Sequence, residues 1–195
     1  MNANTPTQKD IVYINYFDGI DMDRARLLMS VCTQVLAQFK PKTLYFLFAS
    51  PGGQVAAGIA LYNFLKAISP RIDMHNMGSV DSIGTVIFLA GDERYAAPNT
   101  TFLFHGVETQ FRNGASLNLS KLDEIRSGLA EDQNKIAGII ADNSHITEED
   151  IQKLFAQGEA KSLSFAKEKG FIHDVKTIAL APDDVLINVS FQSKN

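Results

Sequence analysis

The sequence predicts an α/β fold in which strands and helices alternate along the chain. Three observations carry this. Thr43-Leu44-Tyr45-Phe46-Leu47-Phe48-Ala49 is an almost unbroken apolar run, the pattern of a central parallel strand covered on both faces. Segments with helical spacing of apolar residues stand on either side of it. Breakers fall where the pattern changes, at Lys40-Pro41, Ser50-Pro51-Gly52-Gly53 and Ser69-Pro70. Alternation of this kind implies right-handed crossovers and a mainly parallel sheet.

In chain order, Ile11 to Tyr16 is β-branched and aromatic and reads as a buried strand. Asp18-Gly19 is a turn, and Asp21 is an N-cap for a helix from Met22 to Phe39. After the apolar strand and its Pro-Gly-Gly turn, Val55, Ile59, Leu61, Tyr62, Leu65 and Ile68 mark a second helix. A short strand from Ile72 to Asn76 leads into a small-residue turn, Met77-Gly78-Ser79-Val80-Asp81-Ser82. A buried helix from Ile83 to Ala90 follows. Tyr95 to Ala97 and Thr100 to His105 read as strands. Leu122, Ile125, Leu129, Ile136, Ile139 and Ile140 describe one long amphipathic helix over 116–143, with Gly128 as a weak point or kink. Thr147-Glu148-Glu149-Asp150 opens a short helix with a variant capping box. Ser162 or Ser164 caps a further turn that ends at Gly170. Val185 to Val189 is strand-like within a C-terminal extension, 176–195. Residues 1–10 are polar and expected to be flexible. No repeat, linker or low-complexity segment interrupts 1–195, which reads as one domain.

The 195 residues, 45% hydrophobic and 21% charged, place the chain in the globular class. A net charge of −4 and the lack of a basic run argue against a nucleic-acid partner. No stretch is apolar enough to span or anchor in a membrane, and no secretory h-region opens the chain, so a cytoplasmic protein is expected. Cys32, inside a helical apolar pattern, reads as a buried inert thiol.

The chemistry converges on three places. Ser82 sits at a small-residue junction between a strand and a helix, where a nucleophile can be presented. An ordinary helix cap is the competing reading. Gly52-Gly53 lies at the carboxyl end of a strand, where α/β folds place ligands. His105 ends another predicted strand. Acyl transfer needs a nucleophile, a base within hydrogen-bond reach and N–H donors for the oxyanion. Ser79 is the rival hydroxyl, better read as turn or cap. Phe102, Phe104 and Phe111 read as core or subunit-interface residues. His75, His145 and His173 have no metal-ligand partner at useful spacing. No Lys-Ser/Thr follows Gly52-Gly53, so it is not a phosphate loop. Neither a metal nor a cofactor is expected.

Taken together, Ala49-Ser50-Pro51-Gly52-Gly53, Met77 to Gly84, Pro98-Asn99, Phe104-His105 and the stretch from Ser162 to Asp174 resemble the proteolytic subunit of the Clp protease. That family belongs to the wider crotonase-like superfamily. The resemblance covers roughly Ile11 to Val175. It implies a spiral of βαβ units with a long protruding "handle" helix over 116–143. It further implies a serine endopeptidase in a homo-oligomeric ring, hydrolysing peptides or unfolded proteins through a Ser-His-acid acyl-enzyme mechanism. Ser82 would be the nucleophile and His105 the general base. The N–H groups of Gly53 and Ile83 would form the oxyanion hole, aided by the positive end of the helix that starts near Ile83.

Three departures from the family pattern stand out. Its acid falls, by ungapped matching, on Gly158; Glu159 next to it, or Asp142, would have to substitute, or the site is a Ser-His dyad or inactive. Asp81 puts a carboxylate beside the nucleophile, where it would oppose an oxyanion if turned towards it. No clear counterpart of the family's axial-loop segment precedes Ile11, which weighs against docking to a Clp-type ATPase. A catalytically feeble ring partner is therefore the first alternative. Acyl-CoA chemistry on the same superfamily fold is the second.

Overall fold

A computed structural model describes residues 9–111 and 116–191. The elements run β1 (Ile11–Phe17), α1 (Met22–Phe39), β2 (Thr43–Ser50), α2 (Val55–Ala67), β3 (Arg71–Asp81), α3 (Ile83–Phe88), β4 (Glu93–Ala96), β5 (Thr101–Leu103), α4 (Leu119–Asp142), α5 (Glu148–Gln157), β6 (Ala160–Lys161), α6 (Leu163–Glu168), β7 (Asp174–Val175) and β8 (Val185–Val189). This is the predicted mixed α/β class. The strands form one sheet in the order β6-β5-β3-β2-β1-β8, with β4 beside β3 and β7 beside β4. All pairings are parallel except β5 with β6.

Period-2 alternation sorts the strands into two faces. Val12, Ile14 and Tyr16 of β1 and Leu44, Phe46 and Phe48 of β2 are buried in one core with Leu28, Cys32 and Val35 of α1 and Leu61 and Leu65 of α2. On the opposite face Tyr45 and Leu47 are buried outside that core, while Ile11 and Phe17 at the ends of β1 are exposed. The consecutive residues Leu44 to Phe48 are all buried, as expected of a strand covered on both faces. Burial pushes the Cys32 thiol up to about 12, as expected of an unreactive cysteine.

β3 departs most from the sequence reading. The predicted strand ended at Asn76, but the chain stays extended to Asp81. Pairing with β2 runs Phe48↔Asn76 and then Ser50↔Val80, so three residues of β3 oppose one of β2. The small residues Met77-Gly78-Ser79 therefore form a bulge rather than a turn. Fully buried Asn76 braces it, donating from Nδ2 to the Thr101 carbonyl and accepting from the Gly78 N–H. The bulge also changes the neighbour of β3. Residues 73–76 pair with β4, and residues 79–81 pair with β5.

Other boundaries moved less. α4 runs through Gly128 without a break in the helix. β5 is only three residues long, and His105 lies beyond it rather than at its end. β8, in the C-terminal extension, adds to the free edge of β1, where Asn15 Nδ2 donates to Asn188 Oδ1. Of the expected flexible segment 1–10, residues 1–8 lie outside the described residues. Among the described residues, no helix is long and apolar enough to cross a membrane.

Candidate active site

Ser82 occupies the junction between β3 and α3 with φ 55° and ψ −129°. A β-carbon makes this left-handed region costly, so the surrounding structure must hold it there. It does so from both sides. The Ser82 N–H donates to the Leu103 carbonyl at 2.9 Å. The Ser82 carbonyl accepts from the Thr85 N–H and, at 2.6 Å, from the buried Thr85 hydroxyl. The Ser82 side chain makes no capping bond to α3. This removes the competing reading of Ser82 as a side-chain helix cap.

The Pro-Gly-Gly turn lies against this serine. A Cβ on Gly52, at φ +86°, would stand 2.7 Å from the Ser82 Cβ and 2.9 Å from the Asp81 carbonyl oxygen. A Cβ on Gly53, at φ +149°, would stand 2.1 Å from the Ile20 carbonyl oxygen. Only glycine permits both approaches. Ile20 and the turn are tied together, the Ile20 N–H donating to Gly52 O and the Gln54 N–H to Ile20 O. The loop that delivers Ile20 is held by the buried Tyr16 hydroxyl, which donates to Gly19 O at 2.6 Å. These bonds leave the Gly53 N–H outside the ladder. Neither it nor the Ile83 N–H has a hydrogen-bond acceptor among the described residues.

His105 follows β5 by two residues, and β5 lies beside Ser79–Asp81. Phe102 and Phe104 fix this stretch from beneath. Their rings pack edge-to-face on Phe171 with centroids 5.1 and 5.2 Å apart. Both are core residues, as expected; Phe111 is exposed. Ser82, Gly52, Gly53 and His105 line one cavity of about 740 Å³, with Leu129, Asp132 and Ile136 of α4 on its wall. Ser82 and His105 share this cavity without a direct hydrogen bond between them. Such contacts tighten in many enzymes only when substrate is bound. His105 Nδ1 is instead bonded to the Gly106 carbonyl at 2.8 Å.

Residues 8–179 match the family described as Clp protease. The chain belongs to the Clp protease family. Its fold is similar to that of a mutant of ClpP1 from Listeria monocytogenes, with a TM-score of 0.72 and 20% identity. The match covers 86% of this chain and 91% of that one. The spiral α/β architecture is therefore that of the Clp proteolytic subunit.

Within this Clp protease fold, the carboxylates considered as the third member of the site stand elsewhere. Glu159 does not reach His105. Its side chain is 66% exposed and pairs with Lys161 Nζ at 3.2 Å. The reason is local: α5 ends with Gly158 as its left-handed cap, and the chain turns directly into β6. Asp142, at the end of α4, lines a different cavity with Arg94, His145 and His173. Asp81 accepts a short hydrogen bond from the Ser79 hydroxyl and is not part of the cavity wall. Ser79, the rival hydroxyl, is thereby occupied. Asp21 does line the cavity, but its carboxylate caps α1, and the Arg24 N–H holds it below the usual carboxylate range.

His75 and His173 are satisfied by protein partners. The Tyr45 hydroxyl and the Lys176 carbonyl hold His75, and Glu93 holds His173. No cluster of three potential metal ligands occurs among the described residues. Sequence reasoning missed the Gly106 carbonyl, because a backbone acceptor has no residue signature. It also missed Thr85, whose buried hydroxyl donates to the Ser82 carbonyl.

Proposed function

We propose that this Clp protease family member is a serine endopeptidase with Ser82 as nucleophile and His105 as general base. The observation that carries the reading is the strained Ser82 beside two unused N–H groups, in a cavity it shares with His105. In the forward step Ser82 Oγ bonds to the scissile carbonyl carbon, and its proton passes to His105 Nε2. The carbonyl oxygen takes the negative charge and accepts from the Gly53 and Ile83 N–H groups. Collapse breaks the C–N bond as His105 returns the proton to the leaving amine. Water then attacks the acyl carbon as His105 takes its proton; His105 passes that proton to Ser82 Oγ as the Oγ–acyl bond breaks, releasing the acid and free Ser82.

The substrate class is peptide or unfolded protein, admitted to a ring built from copies of this chain. Leu119 and Leu122 are exposed on α4, and Phe17 is exposed at the end of β1, which fits surfaces that meet other subunits. A second reading, a feeble peptidase serving mainly as a ring component, is favoured by Gly158 at the position of the acid.

A fluorophosphonate probe separates the two. Covalent labelling at Ser82, abolished by Ser82→Ala and by His105→Ala, is expected of the peptidase. A folded protein that stays unlabelled at neutral pH overturns the peptidase reading.

A further inference from the structure

The orienting role of a triad acid has two parts: it fixes which ring nitrogen carries the proton, and it fixes the plane of the ring. No carboxylate reaches His105 among the described residues, yet its Nδ1 is not idle. It lies 2.8 Å from the Gly106 carbonyl oxygen. A carbonyl can only accept, so the neutral imidazole must carry its proton on Nδ1, leaving the Nε2 lone pair free. That is the tautomer a general base for Ser82 requires.

The acceptor is itself held. The Gly106 N–H donates to the Phe155 carbonyl in the last turn of α5 at 3.2 Å. The bond to α5 anchors the His105–Gly106 peptide and the Phe104 ring anchors the residue before it, so the backbone that carries both the imidazole and the Gly106 carbonyl is held on two sides. Gly158 completes the arrangement by presenting no side chain that could draw Nδ1 away.

We infer that the Gly106 backbone carbonyl is the positioning group of this site, replacing the acid's role in setting the His105 tautomer and leaving a Ser-His dyad. The carbonyl supplies direction but no full negative charge. The imidazolium formed during attack is therefore stabilised less than in a triad. This rests on the peptidase reading for its catalytic meaning, but the contact itself can be tested without turnover.

The test is nitrogen NMR of protein labelled with 15N-histidine, in which the ring signals of His105 among the 4 histidines are assigned by their loss in His105→Ala. Neutral His105 protonated on Nδ1 is the expected result. An Nε2–H tautomer, or an even mixture of the two, overturns the inference while leaving fluorophosphonate labelling as an independent test of the peptidase reading. A backbone change then probes catalysis. Replacing Val107 by α-hydroxyisovalerate turns the Gly106–Val107 amide into an ester, whose carbonyl is a weaker acceptor. The Val107 N–H that is lost has no acceptor among the described residues. A several-fold fall in kcat with KM unchanged supports the positioning role. An unchanged kcat overturns it. An Nδ1–H signal in a protein that the probe never labels overturns the catalytic use of the contact together with the peptidase reading.

Discussion

Gly158 faces His105. A Cβ built on Gly158 would lie 4.0 Å from the His105 Cβ and within 4 Å of no other atom outside its immediate neighbours. Residue 158, on which the ungapped match places the family's acid, is thus adjacent to His105 and carries no side chain.

Installing the carboxylate there should raise activity. Gly158 has φ +61°, a region that Asp adopts more readily than most residues. In Gly158→Asp the added carboxylate competes with the Gly106 carbonyl for the His105 Nδ1 proton and offsets the imidazolium charge. A full triad acid is worth about 10⁴-fold in rate. Partial restoration of about 10- to 100-fold in kcat on a short fluorogenic peptide is expected, at similar KM. A kcat no higher than wild type in a folded Gly158→Asp protein shows that the missing acid does not limit this site.

Glu159→Gln should leave hydrolysis unchanged. The carboxylate is exposed and paired with Lys161, the kind of surface ion pair that contributes about 0–1 kcal/mol to stability. Steady-state rates of the two proteins should agree within about twofold, and unfolding midpoints should nearly coincide. A drop of an order of magnitude in kcat would mean that Glu159 turns to His105 during catalysis.

The fold was legible because its signals are local and repeated. The apolar run of β2, the Pro-Gly-Gly turn and the helical period of α4 each specify one kind of element and agree with one another. The bulge in β3 was not legible. Met77-Gly78-Ser79 has turn composition, and the buried Asn76, bonding across to Thr101 and Gly78, together with the pairing of Ser79–Asp81 with β5, keeps those residues in the sheet. Long-range side-chain bonds of this sort leave no periodicity. In the site, Ser82, Gly53 and His105 could be named from residue types, because a hydroxyl, a glycine turn and an imidazole announce their chemistry. For Glu159, sequence proximity made it a candidate, while the left-handed cap at Gly158 sends its side chain to Lys161.

Gly53→Ala should damage the oxyanion hole directly. Its new methyl would stand 2.1 Å from the Ile20 carbonyl oxygen, so either the turn or the 18–21 loop must move. Losing one oxyanion donor costs about 10²- to 10³-fold in kcat, and a loss at the lower end of that range is expected here. Gly138→Ala is the contrasting change. Its methyl meets nothing within 4 Å inside α4. It should stabilise the helix by up to about 1 kcal/mol, with kcat unaltered. Equal kinetics in the two variants would show that the Gly53 N–H takes no part in catalysis.

His75 should make stability pH-dependent below neutrality. It is fully buried, accepting from the Tyr45 hydroxyl at 2.9 Å on Nδ1 and donating from Nε2 to the Lys176 carbonyl at 3.0 Å. Burial pushes its pKa down to about 4, and the Lys176 ammonium acts in the same direction. In the unfolded chain it titrates near ~6.5. Above that pH both states hold the neutral ring, and the folded state keeps its full stability. Between about pH 6.5 and 4 the unfolded chain binds a proton that the native chain refuses, so unfolding becomes easier as pH falls. Below about 4 both states are protonated and the loss levels off, after roughly 3 kcal/mol. In His75→Gln the amide can accept from Tyr45 and donate to Lys176 without titrating. Urea midpoints measured from pH 7 to 4 should therefore fall more steeply for the wild type than for His75→Gln, and parallel curves would show that the buried ring is not the group responsible.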